Sequence, residues 1–236
     1  MKEIEGKILA AINKYDLITA GDSIAVGLSG GKDSNLLLYA LAHIRDYCKI
    51  PFSLSAITVD PQFDNIPGDY SSLTALCDSI GVEHIIRRTQ LYSTVIKDSG
   101  EKIACSMCAR MRRGILHNIC VGHGFNKLAL GHHFDDAVET FLMNLFSCGK
   151  IGCFSPKAFL SRKQLWMIRP MVFVSEKEIA KAARRYSLPV IQSNCPYNDN
   201  SNRSRTGDLL TELEKQYPDL RMKILGAMQR AHIDGF

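Results

Sequence analysis

At 236 residues, 46% of them hydrophobic and 22% charged, the chain has the composition of a soluble globular protein with enough apolar side chains for one large core. It has no run near the roughly 18 consecutive apolar residues of a membrane span, and its first residues mix charge with Ile4, Ile8, Leu9 and Ile12 instead of forming the apolar stretch of a secretory signal. A cytoplasmic protein with no membrane partner is expected, and eight cysteines in a reducing compartment are expected to be buried, catalytic or metal-bound and not disulfide-linked.

The net charge of +5 is unevenly spread. Residues 87–113 hold seven Lys/Arg against Asp98 and Glu101, and residues 147–169 hold five with no acid. Such stretches suit a polyanion, and equally a solvated basic face.

Residues 3–15 have helical spacing of apolar positions. A short apolar strand over 23–28 follows, then a glycine turn and a nearly all-apolar helix over 35–44. A second strand over 52–59 ends at Asp60, a helix covers 70–80 and a third strand 82–86. Helix 106–120, strand 127–130 and helix 135–146 continue the alternation, with a further short strand over 165–168. Helix 175–186 has Ser175 as N-cap and Glu176 and Glu178 in its first turn, 194–206 reads as polar loop, and the tail from Asp208 is helical. This alternation predicts an α/β fold, a parallel sheet with helices on both faces and a helical C-terminal region, with ligands bound beyond the carboxyl ends of the strands. The expected division is a leading helix over 1–20, a main domain over 21–190, and a cysteine loop with helical tail over 191–236 packed on the same domain.

Three motifs carry chemistry. Ser29, Gly30, Gly31, Lys32, Asp33 and Ser34 lie between a strand and a helix, where glycines allow a tight turn and the first helical N–H groups face an anion. The spacing is neither the G-x-x-x-x-G-K-[ST] loop of kinases and GTPases nor G-x-G-x-x-G. Gly131, His132, His133, Phe134, Asp135 and Asp136 follow a strand and open a helix at the same sheet edge, where the paired carboxylates can hold Mg²⁺ or cap the helix. Cys105 and Cys108 form a C-x-x-C pair ahead of Arg110, Arg112 and Arg113; zinc, iron–sulfur and redox dithiol sites all use such a pair. The other cysteine in a polar loop is Cys195, and three thiolates point to a 4Fe-4S cluster with one iron left open. Cys48, Cys77, Cys120, Cys148 and Cys153 read as packed small hydrophobes.

The hexapeptide Ser29 to Ser34 resembles the SGGxDS signature of the ATP-pyrophosphatase (PP-loop) family, whose members cleave ATP between its α- and β-phosphates and adenylate a substrate. The run from Cys105 to Leu116, the segment from Gly131 to Phe141 and the tail Gly207-Asp208-Leu209-Leu210 resemble, more narrowly, the tRNA 2-thiocytidine synthetase (TtcA) family over nearly the whole chain. Where that family often carries two cysteines around its third-ligand loop, this sequence has Ser193-Asn194-Cys195.

The resemblance implies ATP on residues Ser29 through Ser34, with Asp60, Gly131, His132 and Asp136 completing the nucleotide site. Asp33 would place Mg²⁺ or order the loop. Lys32, Asp135 and Arg113 are the catalytic candidates, for charge, proton transfer or Mg²⁺ placement, and stabilisation of developing negative charge. Cys105, Cys108 and Cys195 would ligate the cluster. The implied reaction adenylates O2 of a cytidine in a tRNA anticodon loop and replaces it with sulfur from a cysteine desulfurase or sulfide; a homodimer is compatible with it. The rival readings are a PP-loop adenylating enzyme acting on another RNA base or a small molecule, and a metal-stabilised RNA-binding module.

Overall fold

The computed structural model describes residues 1–96, 101–191 and 202–236, apart from the side chains of residues 64, 95–96, 101–106 and 202–204. Helix α1 (Lys2–Tyr15) precedes strand β1 (Ser23–Gly27), helix α2 (Lys32–Tyr47), β2 (Ser53–Asp60), α3 (Ser71–Ser79) and β3 (Glu83–Arg88). Then come α4 (Glu101–Gly122), β4 (Lys127–Ala129), α5 (Phe134–Cys148), β5 (Lys157–Leu160), β6 (Leu165–Ile168), α6 (Glu176–Arg185), α7 (Asn202–Gln216) and α8 (Leu220–Arg230).

The strands form one sheet in the order β3-β2-β1-β4-β6-β5, all parallel except β5, which runs antiparallel to β6. β1 and β2 are nearly continuous apolar runs because both their faces are covered. Alternate residues serve two cores. Ile24, Val26, Ala56 and Ala129 pack beneath α1, α2, α5, α6 and α8, whereas Ala25, Ile57 and Leu128 meet Leu116, Ile119 and Cys120 of α4. The α4 side is thin, and Met107 and Met111 of that helix stay exposed.

Three features depart from the sequence reading. β5 was not anticipated, since a four-residue edge strand with mostly half-exposed positions carries little alternation. Residues 202–206, read as loop, begin α7, whose Gly207 lies so close to Glu139 of α5 that an added Cβ would sit 3.1 Å from its Oε1. Cys77 and Cys120 are buried as expected, but Cys148 is exposed at the end of α5. Among the described residues no helix is long and apolar enough to cross a membrane.

The register of β1 against β4 pairs Ile24 with Lys127 and Val26 with Ala129. A buried ion pair holds it at the amino edge: Lys127 Nζ lies 2.6 Å from Asp22 Oδ2 and donates to the Leu17 carbonyl at 2.8 Å. Asp22 also accepts from the Thr19 N–H and from Asn126 Nδ2. Burial pushes the Asp22 carboxyl up, but Lys127 and these donors outweigh it and hold the group below the usual carboxylate range. Removing one partner of such a pair costs about 3–5 kcal/mol, so Lys127→Met should lower the denaturation midpoint well beyond the effect of a surface change. Because the folded carboxyl is the stronger acid, its contribution is complete above the unfolded value of about 3.9 and is lost as pH falls through the folded one. Asp22→Asn should therefore be less stable at neutral pH and lose less stability than wild type on acidification below about pH 4, measured by urea denaturation across pH.

Candidate active site

The carboxyl edge of the sheet is where the chemistry-bearing side chains meet. The strand order reverses between β1 and β4, which opens a crevice at their carboxyl ends. The loops after these two strands are residues 29–34 and 131–136.

Gly30 has φ +85, a left-handed conformation natural to glycine. A Cβ there would also meet Ile191 Cβ at 3.1 Å, while the Ile191 N–H donates to the Gly30 carbonyl at 3.0 Å. Ser34 Oγ accepts from the Ser29 N–H at 3.1 Å, donates to the Gly31 carbonyl at 3.0 Å and lies 3.0 Å from Ser29 Oγ. Asn35, fully buried, sends its amide to the carbonyls of Gly30 and Pro189. No side chain caps α2, so its first N–H groups remain available to an anion.

Lys32 Nζ sits 3.2 Å from both Asp33 Oδ1 and Glu176 Oε1. Burial pulls its ammonium down, but the two carboxylates prevail and hold it above the ordinary lysine value. Glu176 belongs to the first turn of α6, where sequence reasoning saw only favourable helix electrostatics; its reach to Lys32 is tertiary.

The second loop packs directly on the first. A Cβ on Gly131 would approach Ser34 N at 3.1 Å and the Asp33 carbonyl carbon at 3.2 Å. His133, buried beside it, places Nε2 4.0 Å from Asp33 Oδ1 and 3.5 Å from Asp136 Oδ2. Asp136 accepts from the His133 N–H at 3.0 Å and so caps α5. Asp135 accepts from the Glu176 N–H at 2.7 Å and lies 3.1 Å from Arg221 Nε in an ion pair not aligned for a hydrogen bond. Arg221 continues to Glu214 at 2.7 Å, so Asp135 links α5, α6 and α8.

Asp33 Oδ1, held by its ion pair with Lys32, and His133 Nδ1 are buried without a well-aligned hydrogen bond. A carboxylate oxygen and a ring nitrogen left so where two loops converge fit a site completed by a nucleotide and its Mg²⁺.

Asp60, 1% exposed, closes β2 and spends its oxygens on the N–H groups of Gln62 (2.9 Å) and Gly68 (3.0 Å) and on the Tyr70 hydroxyl (3.3 Å). It shapes the loop over residues 61–70. Burial, with Asp60 adding to it, pushes the Tyr70 phenol to about 12. His132 packs against Phe154 with the rings tilted 40° and their centroids 5.0 Å apart, and accepts from Arg169.

Position 105 lies in α4 one turn before the half-buried Cys108. Arg110 and Arg113 are exposed on the same helix, and Arg113 Nε donates to the Ala109 carbonyl. Arg113 is close enough to Arg169 for its charge to weaken the hold of that guanidinium on its proton. Cys195, with residues 192–201, lies outside the described residues. Among the described residues no three His, Cys, Asp or Glu side chains gather to hold a metal. Cys153 donates its thiol to the Ala137 carbonyl at 3.3 Å, and its N–H donates to Asp234.

A doubly wound sheet with an uncapped glycine turn and a second loop seated on it at the switch point defines a nucleotide-phosphate-binding α/β protein. The PP-loop domain family matches residues 1–208. The tRNA-cytidine(32) 2-sulfurtransferase of Syntrophotalea carbinolica is 40% identical over 233 residues, spanning 97% of this chain and 87% of the relative. The protein of the same name from Dechloromonas aromatica is 37% identical, spanning 97% and 79%. Among solved structures, the U34-tRNA thiolase NcsA from Methanococcus maripaludis with its [4Fe-4S] cluster superposes with a TM-score of 0.76 at 26% identity, covering 98% of this chain and 78% of that one. The chain belongs to the PP-loop family and, within it, to the tRNA-cytidine(32) 2-sulfurtransferases.

Lys32→Ala should reduce ATP turnover by on the order of a hundredfold yet leave the unfolding free energy within about 1 kcal/mol of wild type, since its ion pairs are partly exposed. Pyrophosphate release beside urea denaturation reads both. Gly131→Val should abolish nucleotide binding by calorimetry, because no rotamer relieves a contact with backbone.

Proposed function

We propose that the protein is an ATP-dependent tRNA thiolase that adenylates O2 of a cytidine in the anticodon loop and replaces that oxygen with sulfur. The observation that carries the reading is the seating of Gly131 on Ser34 at the switch point, in a chain whose curated relatives are named for this transfer.

The N–H groups of the loop and of the first turn of α2 bind the ATP phosphates, with Lys32 adding charge. The cytidine is splayed from its stack to reach the crevice. Its O2 attacks the α-phosphorus, the bond to the β-phosphate breaks, and pyrophosphate leaves. Asp135, tied to α6 and α8, steadies the start of α5, and Arg113 faces the charge that develops. Sulfur then takes the place of the adenylated oxygen and AMP departs. Mg²⁺ beside Asp33 and Asp136 would neutralise phosphate charge, and a 4Fe-4S cluster on Cys105, Cys108 and Cys195 would present sulfur on an open iron. The exposed Arg87, Arg88 and Arg110 suit the phosphates flanking the base. The reading extends to a cytoplasmic protein, to sulfur delivered by a cysteine desulfurase or as sulfide, and to a homodimer as the assembly to look for.

Incubation of anaerobically purified protein with ATP, sulfide and unmodified tRNA should yield 2-thiocytidine on nucleoside mass spectrometry, with about four irons per chain. Cys195→Ser should lose most of the iron and all thiolation while still binding ATP. No thiolated nucleoside from the iron-loaded wild type would remove this reading, and zinc in place of iron would remove the cluster from it.

A further inference from the structure

Arg169 follows β6 at the active edge and is only 7% exposed. Among the described residues no carboxylate pairs with it. Burial lowers its proton affinity, a nearby Cys153 partly opposes this and Arg113 adds to it, leaving the guanidinium at about 10. A buried cation without a counter-charge is costly, so its remaining contacts show what holds it there. Nη1 donates to the Ser155 carbonyl, the guanidinium lies 4.8 Å from the centre of the Phe154 ring, and Nε donates to His132 Nδ1 at 3.3 Å. The imidazole of His132 therefore touches both Phe154 and the cation that lies on the same ring, immediately after the Gly131 that packs on the phosphate loop.

A guanidinium can only donate. The His132 nitrogen facing it must then carry a lone pair, and the single proton of the neutral ring resides on Nε2. A protonated imidazolium would set N–H against N–H. We propose that Arg169 is a positioning residue that fixes His132 as the neutral Nε2–H tautomer, so that His132, next to the phosphate loop, acts as a hydrogen-bond donor and not as a general base. The proposal rests on the ATP reading above and assigns the chemistry of one side of that site. A neutral imidazole donor polarises an oxygen without giving up its proton, as in other enzymes where the environment keeps histidine uncharged.

Long-range proton–nitrogen NMR of full-length protein labelled with ¹⁵N-histidine, with His132 assigned from His132→Gln, reads the tautomer without ATP or tRNA. Wild type should show Nδ1 unprotonated and Nε2 protonated, and Arg169→Met should give a mixture. In pyrophosphate release, Arg169→Met should be roughly tenfold to a hundredfold slower, the usual effect of removing a group that orients a functional histidine. His132→Gln presents an amide donor near the place of Nε2 and should retain much of the activity; adding Arg169→Met to it should cost far less than in wild type, because the two residues act as one unit. If Arg169→Met does not fold, Arg169→Lys keeps the charge without the Nε donor and should show the same tautomer mixture. An Nδ1–H tautomer in wild type, a tautomer unchanged in a folded Arg169 variant, or additive losses in the double variant would overturn the proposal. A mixed tautomer in a protein that thiolates tRNA would sink this assignment alone, whereas a fixed tautomer in a protein that releases no pyrophosphate would sink the thiolase reading.

Discussion

The buried ion pair between Asp22 and Lys127 is the constraint on which the site depends. The side-chain period of a strand is two, so a one-residue slip of β4 against β1 would exchange its faces and bring Leu128 under α5 in place of Ala129. β4 is only three residues long, too short for its ladder alone to specify register. The charge pair does so, because Lys127 finds the Leu17 carbonyl and the Asp22 carboxylate only in the observed alignment. Such pairs add little net stability over an apolar replacement; what this one supplies is a fixed height for the loops at the far ends of both strands.

With that height fixed, small residues set how closely the loops approach. A Cβ would come within 3.1 Å of Ser34 at Gly131, of Ile191 at Gly30 and of Glu139 at Gly207, tight contacts in each case. Each glycine joins a different element to the site: α5 to the phosphate loop, the segment after α6 to the same loop, and α7 to α5. Polar links then span these joints, Lys32 to Glu176 and Asp135 to both Glu176 and Arg221. Helices α6 and α8 are thus coupled to the phosphate loop, through the partly exposed Lys32–Glu176 pair and the more buried Asp135–Arg221 pair, of which burial strengthens the second.

Local patterns made much of this legible. Ser29 to Ser34 and the Gly131 motif could be read because loop chemistry is written in consecutive residues, and β1, α2 and α6 because their apolar period or capping is strong. What could not be read was pairing across distance. The resemblance places Asp60 in the nucleotide site, and the sequence does not show that its oxygens also organise the loop to Tyr70. Asp135 carries the expectation of proton transfer or Mg²⁺ placement, and its ties to Glu176 and Arg221 are not visible in the local sequence. Asn35 passed for the first residue of an apolar helix, although its amide ties two carbonyls together. Arg169 counted only as one charge in a basic stretch. Its place directly after a short strand, ahead of Pro170, was the available signal that it lies at the ligand edge.

The two faces of the sheet divide the labour. The side bearing α1, α2, α5, α6 and α8 holds the larger core and supports the nucleotide loops on rigid helix starts. The α4 side has a small core drawn from its second half, Leu116 to Cys120, while Arg110 and Arg113 of its first half are exposed and Cys108 and Arg112 half-buried. The cost of placing cations near the crevice falls on Arg169, whose charge is weakened by burial and by Arg113. That same cluster of positive charge is suited to the triphosphate and the RNA backbone, the polyanions that family membership implies for this edge.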